Sequence, residues 1–96
     1  MKRFNLKTER KLTVEVLCHE NEMYVRTREV AQVLGIKQPF EFTANIKSYL
    51  GNEFILKGEK TKDFRTSEDT ERTTFINIKF LCFYLTFFPI HHKLIK

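Results

Sequence analysis

The segment from Thr27 to Leu50 constrains the fold of this chain most, because its pattern predicts two helices joined by a tight turn. Thr27 is expected to be the N-cap of the first helix, where its hydroxyl oxygen can accept a hydrogen bond from an unpaired backbone N–H. Glu29 follows in the first turn, where a negative charge suits the helix dipole. Apolar side chains then recur at the spacing of one buried helical face, at Val30, Val33 and Leu34.

Glycine and proline mark the boundaries of both predicted helices. Gly35 follows the first helix, at a position that often requires a positive φ. Pro39 opens the second helix, because the N–H that proline lacks would be unpaired in the first turn anyway. A buried stripe continues along the second helix at Phe42, Ile46, Tyr49 and Leu50, and Gly51 ends it. Two short helices around a glycine-containing turn are typical of a helix-turn-helix.

One residue leaves the role of this helix pair open. Glu41 occupies the position at which the second helix of a DNA-recognising helix-turn-helix usually presents a buried aliphatic residue. The geometry implied by the sequence therefore allows two interpretations, a helix pair that recognises DNA and a helix pair that only packs in the core.

The chain carries an excess of positive charge. Its 96 residues include 17 Lys and Arg against 12 Asp and Glu, which gives a net charge of +5. Such an excess favours an anionic partner, either nucleic acid or an anionic membrane surface. The 42% hydrophobic content argues for a folded chain and against disorder. The length predicts a single domain over residues 1–96, with a core of about residues 12–88.

Neither cysteine has the neighbours that a metal site needs. Cys18 and Cys82 lie outside any CxxC pair and are expected to be buried, reduced core residues. We therefore expect no metal and no cofactor. The basic N-terminal segment is not followed by an apolar stretch, which argues against secretion. The apolar run from Ile78 to Ile90 is shorter than the about 20 residues that cross a membrane, so no membrane span is expected.

Alternating side chains predict a β-hairpin before the helix pair. Leu12 to His19 alternates apolar and polar residues, as a half-buried strand does, and Met23 to Arg26 is the returning strand. Phe4 to Lys7 is expected to be either a short strand or an ordered arm. The surrounding basic residues would then be either solvated or placed along phosphates.

A second hairpin with a long charged loop is predicted after the helix pair. Its strands are Glu53 to Lys57 and Thr73 to Ile76, and Gly58 ends the first of them. The loop is basic in its first half, whereas Glu68, Asp69 and Glu71 make its second half acidic and are expected to be solvated. Long loops inside small domains are often functional or disordered. This one resembles the wing with which winged DNA-binding domains grip phosphates.

The last predicted element is an apolar helix. Asn77 is expected to cap it, and it runs from Ile78 to Phe88 with apolar residues on nearly every side. A helix that is hydrophobic all round belongs in the centre of a fold. Pro89 is expected to stop it. The predicted class is α+β, a small single domain with an N-terminal β-hairpin, a central helix-turn-helix-like pair, a second β-hairpin and a C-terminal apolar helix.

Several short motifs occur in the same order as in a known domain. They are Met23-Tyr24-Val25, the stretch EVAQVLGI from Glu29 to Ile36, and Thr74 to Asn77 leading into Leu81 and Leu85. In this order the chain resembles Bro-N, the N-terminal domain of the baculovirus repeated ORF family, which also occurs in phage antirepressors. The resemblance covers roughly residues 12–88. It implies a DNA-binding module of viral, phage or mobile-element origin that regulates transcription.

DNA binding is the leading functional hypothesis. Amides of the second helix can contact adenine edges, and cations can contact guanine or phosphate. The expected nucleic-acid-binding residues are Arg26, Arg28, Lys37, Gln38, Asn45, Lys47, Ser48, Lys57, Lys60, Lys62 and Arg65. No nucleophile with a base and no paired carboxylates are evident, so no enzyme activity is expected.

The alternative hypothesis is a protein-interaction factor that binds and inhibits a host or repressor protein. The short chain, the mixed-sign loop and the Phe-rich end of the last helix motivate it, and the first and last of these also favour a homodimer or another partner. From the resemblance, the end of this helix (Phe83, Phe87 and Phe88) would be expected to be more polar, and members of the family commonly carry a further C-terminal domain. Reduced cysteines suit either a bacterial cytoplasm or the nucleus of an infected cell.

Overall fold

Five β-strands and three α-helices make up the fold in a computed structural model that describes residues 2–9 and 11–88. The elements in chain order are β1 (Lys2–Lys7), β2 (Thr13–His19), β3 (Glu22–Arg26), α1 (Thr27–Val33), α2 (Pro39–Leu50), β4 (Ile55–Leu56), a short 3-10 helix (Gly58–Thr61), β5 (Phe75–Asn77) and α3 (Ile78–Phe87). The α+β class and the N-terminal hairpin are confirmed.

All five strands form one antiparallel sheet in the order β1-β2-β3-β5-β4. The segment around Phe4 is a strand, and Phe4 lies opposite Val16 of β2. The last strand, β5, lies between β3 and β4, so that Ile76 is opposite both Val25 and Ile55. A late segment of the chain therefore joins the N-terminal hairpin to the rest of the sheet.

The second hairpin is shorter than predicted, and its loop is not a wing. Only Ile55–Leu56 forms β4, since the two preceding residues belong to the turn after α2. The loop begins with the 3-10 helix and then packs on the sheet through Phe64, which is 3% exposed and contacts Leu17 and Phe75. Because an aromatic anchor holds the loop down, it does not project as a free ribbon.

The sheet separates two hydrophobic clusters. On one face, side chains from β2, β3 and β5 pack under the three helices; this cluster comprises Val16, Val25, Ala31, Phe42, Ile46, Ile76, Leu81 and Tyr84. On the other face, Leu17 and Phe75 pack under Phe64 of the loop. Alternation along each strand explains the division, because successive residues point to opposite faces. The helices thus form one layer and the loop covers the other side.

The predicted helix pair is present. Gly35 adopts a positive φ of 71° after α1, and Pro39 is the first residue of α2. The expected cap was wrong: Arg26 is the N-cap, and its side chain makes no capping hydrogen bond. Thr27 is already helical. Its backbone N–H donates to the Thr74 carbonyl oxygen (3.0 Å), which is the acceptor that replaces a cap.

The last helix is buried on one side only, which corrects its expected place at the centre of the fold. Asn77 does cap it, accepting a hydrogen bond from the Lys79 N–H (2.9 Å). Leu81 and Tyr84 face the core, whereas Phe83 and Phe87 are 49% and 57% exposed. Ile78 and Leu85 are partly buried against the core and Phe80 stacks on Phe54, so among the described residues the exposed aromatic side chains of the helix are near its end. Pro89 and the following tail lie outside the described residues.

The cysteines are less buried than predicted, since Cys18 is half-buried and Cys82 is exposed on the uncovered side of α3. Within residues 2–9 and 11–88, no helix has the length and hydrophobicity to cross a bilayer. The same residues contain no cluster of three His, Cys, Asp or Glu side chains placed to hold a metal ion.

Candidate nucleic-acid interface

Helix α2 has one buried face and two exposed flanks. Phe42 and Ile46 are buried against the core, in agreement with the predicted stripe, whereas Tyr49 is 46% exposed. Each residue advances about 100° around a helix, so side chains on either side of the stripe diverge. Lys47 lies on one flank and Asn45 on the other. The predicted site residues on this helix therefore belong to two surfaces.

The first flank borders a cationic cleft, which we define by Phe40, Lys47, Lys57 and Arg72. The cleft is a depression of about 330 Å³ between α2 and the segments on either side of the loop. Threonines, Pro39 and Ala44 complete its lining, and the lining contains no acidic residue. Lys47 and Lys57 are among the residues predicted from the sequence to bind nucleic acid, whereas Phe40 and Arg72 are not.

The cations of the cleft have no carboxylate partner in the part of the chain that the structure describes, and this holds for Lys47, Lys57 and Arg72 alike. Partial burial lowers the pKa of Lys47 from its ordinary value, and the nearby Lys57 ammonium lowers it further. Two like charges held this close are unfavourable, so an anion placed between them would be stabilised.

A set of hydrogen-bonded threonines forms the floor of the cleft. The Thr43 hydroxyl lies 2.9 Å from both the Pro39 carbonyl oxygen and the Thr27 hydroxyl. The Thr27 hydroxyl in turn donates to the Thr74 carbonyl oxygen (3.4 Å). These contacts join α2, α1 and the segment before β5. The floor therefore fixes the position of the α2 side chains relative to the loop.

The second flank of α2 faces α3 across a groove of about 410 Å³. Lys37, Gln38 and Asn45 line it together with Tyr84 and Phe88. Ser48 lines a smaller depression beside it. The groove places two amide side chains and a cation on the same exposed side of the helix pair. Glu41 also lines it, which gives this flank a mixed charge.

Arg26 and Arg28 lie elsewhere, on the loop side of the sheet. Arg26 is 3% exposed, and its Nε and Nη2 donate to the two carboxylate oxygens of Asp69 (2.8 and 2.7 Å). Its Nη1 donates to Glu15 (2.8 Å), and its guanidinium lies 5.0 Å from the centre of the Phe75 ring. Arg28 also donates to Asp69 (2.7 Å). We call Arg26, Arg28, Glu15 and Asp69 the arginine clamp.

The arginine clamp changes the role expected for its members. Asp69 was expected to be solvated, but its side chain is 0% exposed. Burial alone would raise the pKa of Asp69, yet hydrogen bonds from Arg26, Thr66 and Arg28 hold it well below its usual range. Burial alone would lower the pKa of Arg26, but its hydrogen bonds to Asp69 and Glu15 outweigh that effect and raise the pKa above its ordinary value. The charge of Arg26 is paired with Asp69 and Glu15 and its side chain is buried, so Arg26 is not available to contact DNA, contrary to the prediction.

The other predicted cations follow Lys57 along the loop. Lys60 and Lys62 are exposed, and Arg65 is half-buried next to the anchored Phe64. Phe64 packs on the sheet face opposite the helices, so the chain leaves the cleft as it runs toward Arg65. The predicted basic segment therefore begins at the cleft with Lys57 and ends at Arg65, beside a residue that packs on the sheet face opposite the helices.

Of the two residues that the sequence analysis missed, Phe40 had a signal in the sequence and Arg72 had none. Phe40 is out of phase with the buried stripe of α2, which places an aromatic side chain on the polar side of the helix. Arg72 lies in the acidic half of the loop, and its charge was masked by its neighbours. Only the pairing of β4 with β5 brings Arg72 back to Lys57, near which Gly58 N–H donates to the Glu71 carbonyl oxygen (3.1 Å).

Comparison of the chain with protein-family models, with curated proteins and with solved structures found no match.

Proposed function

We propose that this protein binds DNA, with the cationic cleft holding backbone phosphates. One observation carries the proposal: Lys47, Lys57 and Arg72 converge on a surface that contains no carboxylate, while the cations of the arginine clamp are neutralised. A folded protein rarely gains by holding like charges together, because they repel one another. A polyanion is the partner that turns this cost into attraction.

The second flank of α2, which faces α3, supplies the candidates for base contacts. Gln38 and Asn45 have amides that can pair with adenine edges, and Lys37 can contact guanine or phosphate. Ser48 is exposed on the same side. The cleft would hold one strand of the backbone along the other flank. Lys60 and Lys62, which follow Lys57, would extend the phosphate track, whereas Arg65 and Arg28 would have at most a peripheral role.

The resemblance to Bro-N supports the same proposal. From this resemblance we also propose that the module is of viral, phage or mobile-element origin and regulates transcription by occupying DNA, without catalysis. The corresponding compartments are a bacterial cytoplasm or the nucleus of an infected cell.

A salt titration tests the proposal. Fluorescence anisotropy of a labelled mixed-sequence duplex gives Kd at several salt concentrations for the wild type and for Lys47→Ala/Lys57→Ala/Arg72→Ala. Each phosphate contact contributes a slope of about −0.9 to the plot of log K against log salt. The triple variant should therefore lose about 2.7 of that slope, which corresponds to a roughly 40-fold smaller effect of salt between about 50 and 200 mM.

A variant with the same loss of charge provides the control. Lys2, Lys7 and Lys79 are exposed. Lys2 and Lys7 lie on β1, at the opposite edge of the sheet from β4, which Lys57 directly follows, and Lys79 lies at the start of α3. Changing these three residues to alanine should leave the slope near the wild-type value. Equal losses in both triple variants, or wild-type binding that does not depend on salt, would contradict the proposal.

A second candidate function rests on the aromatic side chains of α3 that residues 2–9 and 11–88 leave exposed. Phe83, Phe87 and Phe88 are all about half exposed, and Tyr49 of α2 stacks edge-on against Phe88 with ring centres 4.6 Å apart. Contiguous exposed aromatic side chains commonly mark a protein interface. This surface suits a host protein, a repressor or a second copy of the chain. Size-exclusion chromatography of wild type and Phe83→Ser/Phe87→Ser separates these cases, because only a homodimer would elute later after the substitution.

A further inference from the structure

Phe40 is the most exposed large hydrophobic side chain among the described residues. It is 91% exposed, whereas the other exposed aromatic residues are about half covered. It lies in the first turn of α2, two residues before buried Phe42, and so points away from the core. A phenylalanine in this position gives up the favourable burial of its ring. Neither the fold nor the phosphate contacts proposed above use it.

The surroundings of Phe40 combine an aromatic ring with cations that no carboxylate of residues 2–9 and 11–88 pairs. It shares the cleft with Lys47, Lys57 and Arg72, and the lining contains no carboxylate. An apolar protein partner would be matched by a ring surrounded by apolar or neutral residues. A ring among cations instead matches a ligand that has flat π-faces joined by negative charges. Nucleic acid has this composition, because every base offers a face for stacking and every linkage offers a phosphate.

The backbone at Phe40 is held firmly although the ring of this residue is exposed. The carbonyl oxygen of the preceding Pro39 accepts a hydrogen bond from the Thr43 hydroxyl (2.9 Å), and that hydroxyl also lies 2.9 Å from Thr27. Proline fixes the backbone at the start of the helix. The ring is therefore presented from a rigid first turn rather than from a mobile loop, which lowers the entropy lost on stacking.

We propose that Phe40 stacks on a nucleobase while Lys47, Lys57 and Arg72 hold the phosphates that flank that base. This inference rests on the proposed DNA binding and specifies the chemistry of the same site. The base can come from two sources. One is an unpaired base in single-stranded or bulged DNA, and the other is a duplex step that the ring opens by insertion.

The experiment compares Phe40→Ala and Phe40→Trp with the wild type on three DNAs of equal length: a duplex, the same duplex with one bulged base, and a single strand. Each carries 2-aminopurine, whose fluorescence reports stacking. Alanine should weaken binding of the DNA that supplies the base by about 5- to 150-fold. Tryptophan should preserve binding and the fluorescence change. The salt slope should stay the same in both variants, since no cation is removed.

Phe4→Ala is the matched control, because Phe4 is also an exposed aromatic residue but lies on β1, at the edge of the sheet opposite β4. It should bind as the wild type does. The DNA that loses affinity in Phe40→Ala identifies the source of the base. If the wild type binds with a salt slope while Phe40→Ala binds equally well to all three DNAs, base stacking is wrong and phosphate binding stands. If the wild type binds none of them, both proposals are wrong.

Discussion

The arginine clamp and the cationic cleft both bring basic side chains together, yet their charges have different fates. In the clamp, Arg26 is 3% exposed and makes two hydrogen bonds to Asp69 and one to Glu15. In the cleft, Lys47 and Lys57 lie near each other with no carboxylate in the lining. A positive charge is structural where a buried anion meets it, and it is available for binding where none does.

The largest expected change in the free energy of unfolding is in the arginine clamp. Asp69→Ala removes the carboxylate that faces Arg26 and Arg28 and leaves a buried guanidinium without its main partner. Removing one member of a buried ion pair costs about 3–5 kcal/mol, and the remaining Glu15 contact places the expected loss near the lower end, about 3 kcal/mol. Urea denaturation measures it. Asp63→Ala, an exposed change in the same loop, should stay within about 0.5 kcal/mol; equal effects of the two substitutions would contradict a structural role for the clamp.

Acid should weaken the clamp through the same carboxyl group. The pKa of Asp69 is lower in the folded state than in the unfolded state, so its stabilisation is complete above the unfolded value of about 3.9. It is lost as the pH falls from there toward the folded pKa. This carboxyl contributes at most about 1.4 kcal/mol per pH unit to the slope of the unfolding free energy. Urea denaturation from about pH 5 downward should show a shallower slope for Asp69→Asn, and an unchanged slope would contradict the assignment.

The smallest change in the free energy of unfolding is expected in the cleft, where removing a charge should not destabilise the fold. Lys47→Met keeps the length of the side chain and removes its charge, which relieves repulsion from Lys57. The unfolding free energy should therefore stay constant or rise by up to about 0.5 kcal/mol. DNA binding should weaken nonetheless. A substitution that lowers stability as much as Asp69→Ala would show that Lys47 supports the fold, and the contrast between the two regions would fail.

Local patterns predicted much of the fold because they act over a few residues. The alternation from Leu12 to His19 marks β2, and Gly35 adopts the positive φ expected after α1. Pro39 and Asn77 occupy the helix starts at which they were expected. In each case the responsible physical effect, burial on one face or a constraint on one dihedral angle, lies within the segment itself.

Long-range pairing accounts for what the sequence did not disclose. Asp69 meets Arg26 across 43 residues, so a carboxyl group in a polar loop could not be distinguished from a solvated one. The insertion of β5 between β3 and β4 moves Arg72 into the cleft. Thr27 lost its expected capping role because Thr74, from the end of the loop, supplies the acceptor for its N–H.

Side-chain NMR of the complex compares the two regions most directly. Arginine Nε–Hε resonances are recorded with and without duplex DNA and with single-stranded DNA, alongside backbone amides. We predict that Arg72 shifts together with the amides around Phe40, Lys47 and Lys57, while the Nε–Hε resonance of Arg26, already bonded to Asp69, remains in place. Shifts confined to Arg26, or centred on Phe83 and Phe87 of α3, would contradict the account.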